Sequence, residues 1–391
     1  MPNCKSVYDP QEDSTMLEKH VRKFAFGKVL DMGTGSGIQA ISAAQSSKVK
    51  SVIAADVQKE VIEYCKKNIK HRKIKFLQSD LFENIKGKFD AIIFNPPYLP
   101  QELKVRDLAL EGGKKGYEVI EEFLSGLSGH LNPEGLALIV FSSFTKKEKV
   151  EELVKSILFD FEELERMRIF FEDLHVYRLF KSGLLKTLEA KGIKNVKYLA
   201  KGHRGFVYTG ILNKKKVVIK AKNPKSTAFN RIANESKWIK VLSRHGIGPN
   251  LVFGSEDYFV YNYIDGVPII EFLKNNEKNE IRDVLKKSLG QCFKMDKLKI
   301  DKEEMHHPVK HIIVVKKGKT LAPKMIDFER CRSSENPKNV TQFCQFITSG
   351  NVEKILSGKN IAIDKSRIIS LAKIYKRSIS IQNLNNILKA I

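Results

Sequence analysis

Four short apolar runs, each meeting a polar residue at its carboxyl end and each followed by a turn or helix-forming sequence, constrain the first half of this chain most. They are Lys28–Asp31, Ser51–Asp56, Ile74–Gln78 and Phe89–Phe94. Near-continuous apolar strands that alternate with helical periodicity predict an open parallel sheet covered on both faces. In such sheets ligands bind just beyond the carboxyl ends of the strands. The residues at those four ends are therefore the candidates for chemistry.

The first run leads into Met32-Gly33-Thr34-Gly35-Ser36-Gly37 and a helix from Ile38 to Ala44. Glycines let backbone N–H groups approach a ligand closely, but dinucleotide-binding folds use such a turn too. The second run ends on Asp56, an acid suited to the two hydroxyls of a ribose. After the third, Asp80 is placed to accept from an adenine amino group while Leu81 covers the ring. The fourth runs into Asn95-Pro96-Pro97-Tyr98, polar and rigid. A planar NH2 group is a poor nucleophile because its lone pair is delocalised. The Asn95 oxygen and a Pro96-Pro97 carbonyl would accept its two N–H groups and turn the lone pair toward an electrophile. Tyr98 would lie on the flat face of the substrate. Upstream, Ser14 or Asp13 is expected to cap a helix whose apolar face carries Leu17 and Val21.

At 391 residues the chain is long enough for two domains. It has no uninterrupted apolar run of about 18 residues, so no membrane span is expected. Its N-terminus lacks an apolar signal core. The five cysteines are scattered without a CxxC pair. That argues against a zinc site or a disulfide framework and for a reducing compartment, the cytoplasm. The net charge of +24 is lopsided: residues 1–182 hold 28 Lys+Arg against 27 Asp+Glu, a balance of +1, which leaves +23 to residues 183–391. So sharp a shift marks a domain boundary and assigns any RNA or ribosome affinity to the second half.

The ordered strand ends resemble those of S-adenosylmethionine-dependent methyltransferases. The leader Tyr8-Asp9-Pro10-Gln11-Glu12-Asp13-Ser14, the Asp31–Gly37 turn, Asn95–Tyr98 and the segment Ala109–Gly116 together resemble the HemK-type protein-glutamine methyltransferases, in their archaeal and eukaryotic branch. The resemblance covers residues 1 to about 182. It implies a seven-stranded Rossmann-like α/β domain, with strand five at Leu136–Phe141 and a closing antiparallel pair at Phe161–Arg168 and His175–Phe180. It implies Ser14 and Asp31 beside the methionine part of the cofactor, and Gly33, Thr34, Gly35 and Gly37 as the floor. Asp56 then takes the ribose, Asp80 and Leu81 the adenine, and Asn95, Pro96, Pro97 and Tyr98 the glutamine. The family's substrate is the Gly-Gly-Gln motif of a peptide-chain release factor. That branch often works with a small zinc-binding activator protein.

Beyond a joint at Lys181-Ser182-Gly183, residues 183–391 read differently. A strand, a glycine turn and a strand span Val196–Gly210. Lys216–Lys220 is a strand, Asn230–Ser243 a helix bearing Glu235, Tyr258–Tyr263 an apolar strand, and Met325–Glu329 a late strand with Asp327. These parts resemble a RIO-like or archaeal serine/threonine protein kinase: an α+β two-lobed fold with a small lobe at about 190–263 and a large lobe at about 264–391. The resemblance implies ATP under Gly202 and Gly205, gripped by Lys220, with Glu235 holding Lys220 and Asp327 holding Mg²⁺. Two departures stand out. The loop's first glycine is Ala200, and no HRD or HGD precedes Asp327. Aligned on Ile312–Val314, His306 takes the place of the catalytic base and His311 that of the metal-binding Asn; shifted by two, Glu304 becomes the base. Imidazole accepts a proton, with an ordinary pKa of about 6.5, but is a poor magnesium ligand. The helical spacing after Asp364 is expected to pack within the large lobe.

Three functions follow. One is a protein-glutamine methyltransferase fused to a kinase-like module. Another is an N6-adenine or other exocyclic-amine methyltransferase of nucleic acid, with the second half a pseudokinase or RNA-binding module. The third is a ribosome-associated protein without catalysis. The near-neutral first half favours a protein substrate.

Overall fold

The structure is a computed structural model describing residues 9–97, 116–201, 205–222, 231–318 and 320–391. Tyr8, Tyr98, the segment 109–115 and Gly202 lie outside the described residues. The chain divides into two compact units, one of residues 1–198 with 211–213 and one of 199–210 with 214–391. No described helix is long and apolar enough to cross a membrane.

The first unit runs α1 (Glu12–Phe24), β1 (Gly27–Met32), α2 (Ile38–Gln45), β2 (Val49–Asp56), α3 (Lys59–Asn68), β3 (Ile74–Gln78), β4 (Phe89–Phe94), α4 (Glu118–His130), β5 (Leu131–Ser142), α5 (Lys147–Ser156), β6 (Phe159–Ile169), β7 (Glu172–Lys181) and α6 (Gly183–Ala190). Its seven strands take the order β3-β2-β1-β4-β5-β7-β6. β1 pairs parallel with β2 and β4, β2 with β3, and β4 with β5; β7 is antiparallel to both β5 and β6. This is the Rossmann-like sheet expected for the first half. β1 and β4 are buried along almost their whole length, as strands covered on both faces must be. On one face Val29, Ala91, Ile93 and Leu138 meet Leu17 and Val21 of α1 and Ala40 of α2.

Two expectations need correction. Ser14 and Asp13 do not cap α1: its N-cap is Gln11, without a side-chain cap bond, and both residues lie buried in the first turn. Their short polar side chains have better partners across the sheet than in their own helix. The boundary also differs: α6 belongs to the first unit, because Lys181, 1% exposed, donates to both carboxylate oxygens of Glu189 on α6 at 2.8 and 2.7 Å.

β8 (Lys194–Lys201), β9 (Gly205–Leu212), β10 (Lys215–Lys222), β11 (Leu251–Gly254) and β12 (Tyr258–Asn262) make a five-stranded sheet ordered β11-β12-β10-β9-β8, all of it in the second unit except residues 194–198 and 211–212. Helix α7 (Arg231–Ser243) packs on β10–β12 and buries Glu235. The rest is mostly helical: β13 (Val267–Pro268), α8 (Ile269–Asn275), α9 (Lys278–Lys297), β14 (Ile300–Asp301), β15 (Ile312–Lys317), β16 (Thr320–Met325), β17 (Arg332–Ser333), α10 (Asn339–Ile347), α11 (Gly350–Gly358), α12 (Lys365–Arg377) and α13 (Ile381–Lys389). Ile368, Tyr375, Leu384 and Ile387 of α12 and α13 join the same core as Leu285 and Phe343, so the tail packs within this unit as its spacing predicts. The late strand is displaced. β16 stops at Met325, and Asp327 sits past it with φ +62°, a left-handed conformation that cannot continue a strand.

Candidate active site

A cavity of about 570 Å³ opens at the carboxyl ends of β1–β4 in the first unit. Its wall takes Ser14 from α1, the turn after β1, Asp56 at the end of β2, Asp80 and Leu81 after β3, and Asn95-Pro96-Pro97 after β4. Ten predicted residues thus meet around one space: Ser14, Gly33, Thr34, Gly35, Asp56, Asp80, Leu81, Asn95, Pro96 and Pro97. Asp31 and Gly37 do not line it. Asp31 lies behind the turn and accepts from the Thr34 hydroxyl at 2.6 Å. Burial pushes its carboxyl up to about 7, against the hydrogen bonds from Thr34 and the Ala40 amide. Gly37, at φ +83°, lets the turn close on α3, where a Cβ would meet Ile69 at 2.4 Å.

The glycine turn also orients an acid. The Gly35 amide donates to Asp56 Oδ2 at 3.1 Å and the Gln58 amide to Oδ1 at 3.0 Å. Burial raises the Asp56 carboxyl above its ordinary value while these bonds oppose the rise.

At Asn95, Nδ2 donates to Asp13 Oδ2 at 3.0 Å and to Ser14 Oγ at 3.3 Å. Gln39 Nε2 donates to the Ser14 carbonyl at 2.8 Å and fixes that turn of α1. The amide is thereby held one way round. Its Oδ1 is buried and has no hydrogen-bond partner among the described residues. A buried polar atom left unmet is costly, and in a cavity wall it points to a ligand. Asp13 was missed as a site residue because an acid in a leader reads as a helix cap. Its adjacency to Ser14 was the available signal.

In the second unit, Lys220 Nζ on β10 meets Glu235 Oε2 at 2.5 Å and Asp327 Oδ1 at 3.7 Å. Burial works against the Lys220 charge, but the two carboxylates outweigh it and hold its pKa above the ordinary value. His311 Nε2 lies 3.5 Å from Asp327 Oδ2, and Lys302 Nζ donates to the Asp327 carbonyl at 2.5 Å. The two candidate bases are otherwise engaged. Glu304 pairs with Arg330, and His306 is exposed beside the His307 ring. Gly205 has a packing reason: a Cβ there would lie 2.7 Å from the Ala221 carbonyl. The surroundings of Asp327 do not fit the expected magnesium ion. Its carboxylate faces a lysine and an imidazole, neither of which offers magnesium an oxygen ligand.

Known proteins match this chain in the same terms. The family described as "Methyltransferase small domain" matches residues 6–170. A "Putative protein N5-glutamine methyltransferase" of Methanocaldococcus jannaschii is 35% identical over 182 residues, covering 45% of this chain and 92% of that protein. The chain belongs to the protein-glutamine methyltransferase family. A release factor glutamine methyltransferase of Lactococcus lactis is 35% identical over 120 residues, 28% of this chain and 44% of the relative. The chain thus spans about half or less of that bacterial relative. A solved complex of E. cuniculi, Mtq2–Trm112, responsible for methylation of the eRF1 translation termination factor, aligns with TM-score 0.38 and 23% identity, covering 45% of this chain and 99% of that one.

Membership of this family makes the first unit a methyltransferase dependent on S-adenosylmethionine. The residues present fit that cofactor. The cavity has room, acids stand at the ends of β2 and β3, and Asn95, whose Oδ1 is unmet among the described residues, lines the wall after β4.

Proposed function

We propose that the first unit methylates the side-chain amide nitrogen of a glutamine in the Gly-Gly-Gln motif of a peptide-chain release factor. The observation that carries this reading is the unmet Asn95 Oδ1 in the cavity wall. When bound, S-adenosylmethionine supplies an electrophilic methyl group. Asp13 and Ser14 hold the Asn95 NH2, so Oδ1 is free to accept one N–H of the incoming amide. A carbonyl of Pro96-Pro97 accepts the other, and Asp56 and Asp80 hold ribose and adenine. As the nitrogen gives up its conjugation its N–H groups become more positive, so both acceptors bind the transition state better than the ground state. Release factor is the substrate in the names of several relatives, and ribosomal protein uL3 in others.

A nucleic-acid amine is the competing substrate. The cavity wall has no Lys or Arg among its described residues, which favours protein over a polyanion. A small zinc-binding activator on an outer strand of the sheet belongs to the same proposal. So does a cytoplasmic location, which four buried free cysteines support.

The second unit, with its lobes at about 199–263 and 264–391, is proposed to bind ATP in the manner of a protein kinase. The Lys220–Glu235 pair beside Asp327 supports this. The engaged Glu304, the exposed His306 and the misfit of magnesium favour a pseudokinase over phosphoryl transfer.

The test is transfer of labelled methyl from S-adenosylmethionine to a Gly-Gly-Gln release factor, to its Gly-Gly-Glu variant and to RNA. Label is expected in the first alone. Label in RNA, or equal label in both release factors, removes the glutamine assignment.

A further inference from the structure

The turn joining β6 to β7 consists of Phe170 and Phe171, since Ile169 pairs with Glu172 across it. Two-residue hairpin turns favour Gly, Asn and Asp. Here both positions hold phenylalanines that are each 89% exposed, and Phe170 takes φ +45°, which a bulky residue adopts at a cost. Neither ring serves the core. The same hairpin enters the active site: Ile169, Glu172 and Leu174 line the cavity that holds Asn95. Glu172 Oε2 is buried and has no hydrogen-bond partner among the described residues. Glu12 and Glu122 add carboxylates to that wall, which has no described Lys or Arg to balance them.

An unmet carboxylate oxygen on a hairpin whose turn carries two exposed aromatic rings suits a cation on a long side chain. The carboxylate pairs with the charged head, and the rings cover the stem or lie against the guanidinium. From the geometry we infer that the Phe170-Phe171-Glu172 hairpin selects protein substrates by an arginine or lysine flanking the target glutamine. Asn95 presents the reacting amide, and the hairpin fixes the register of the chain that carries it. This rests on the protein substrate proposed above. Glu172 acts on binding of the substrate, not on the transferring methyl, so its effect belongs in KM rather than kcat.

The test uses the full chain and two peptides containing Gly-Gly-Gln, one with arginine at the two positions on either side and one with alanine there. Transfer to the alanine peptide reports the substrate assignment; the ratio of kcat/KM between the peptides reports the hairpin. The wild type is expected to favour the arginine peptide by about tenfold or more, on the order of 1.4 kcal/mol, through KM. Glu172→Gln should bring the ratio to within about twofold, by raising KM for the arginine peptide. Phe170→Ser with Phe171→Ser, a change confined to solvent, should lower the ratio part-way. Glu172→Lys should transfer the preference to a peptide flanked by glutamates. An undiminished ratio in Glu172→Gln overturns the inference while leaving the substrate assignment standing. So does a wild type without preference, or a weakened S-adenosylmethionine affinity in the variant, which would give Glu172 to the cofactor. Transfer to neither peptide, with RNA labelled instead, overturns both.

Discussion

Asn95 has a donor end and an acceptor end, and the fold uses only the first. Asp13 and Ser14 take its N–H groups, so under the proposed function the oxygen is left for substrate without an ordering cost at each turnover. Asn95→Ala should therefore lower kcat about 10²-fold, by analogy with removal of one oxyanion-hole donor, with S-adenosylmethionine affinity nearly intact. Turnover within a few-fold of wild type would reduce this stretch to a turn. Asp13→Ala leaves the oxygen in place but frees the amide to rotate. It should cost roughly tenfold in kcat, measured on the same release factor. Asp31 gives a pH signature in the ligand-free protein. Its carboxyl titrates near 3.8 when exposed but is pushed by burial to about 7 in the fold. Between those values the folded chain keeps a proton that the unfolded chain has released. Stability from this site is therefore greatest at low pH and falls as pH rises toward 7, by about 1.4 kcal/mol per pH unit at most. Urea melts at about pH 5 and pH 7 should show a steeper loss in wild type than in Asp31→Asn. Parallel losses would mean that burial does not hold this proton.

Elements whose local signals agree are legible in the sequence. β3 and β4 fall where their apolar runs begin and end, and the glycine turn, Asp56 and Asn95 meet as the strand ends predict. Legibility failed where a distant partner decides the outcome. Asp13 and Ser14 are cap residues by type, but a side chain 82 positions away in sequence recruits Asp13 into the site instead. Met325–Glu329 looked like one strand, yet Asp327 turns left-handed next to the buried Lys302, whose ammonium holds its carbonyl. No spacing rule encodes that contact. The joint was misplaced for the same reason: the sequence break at Ser182 is sharp, but Lys181 is anchored to α6 beyond it. Lys181 Nζ is fully buried between Glu189 and the Ser128 carbonyl. Removing one member of a buried pair leaves the other uncompensated, at roughly 3 kcal/mol. Lys181→Ala should lower the urea midpoint of the first unit accordingly, and a piece ending at residue 198 should outlast one ending at 182. Equal midpoints for the two pieces would detach α6 from this unit.

At the scale of the whole molecule the two halves differ most in charge, +1 for residues 1–182 against +23 for 183–391. The candidate active-site cavity belongs to the near-neutral half, with carboxylates and no described Lys or Arg in its wall. A polyanion is therefore expected to bind the second half without entering the methyltransferase site. Each phosphate neutralised releases counterions, so affinity should fall steeply and linearly as log Kd against log salt, with a slope near −0.7 per contact in log K for single strands. The measurement is fluorescence anisotropy of a labelled single-stranded RNA with the full chain, from about 50 to 200 mM salt. S-adenosylmethionine affinity should be the same with and without saturating RNA, because the two ligands meet different charge environments. Competition between RNA and S-adenosylmethionine would move the polyanion site into the first unit and reopen nucleic acid as the methyl acceptor. A flat salt response would leave the +23 without a polyanion partner, as solvated surface alone.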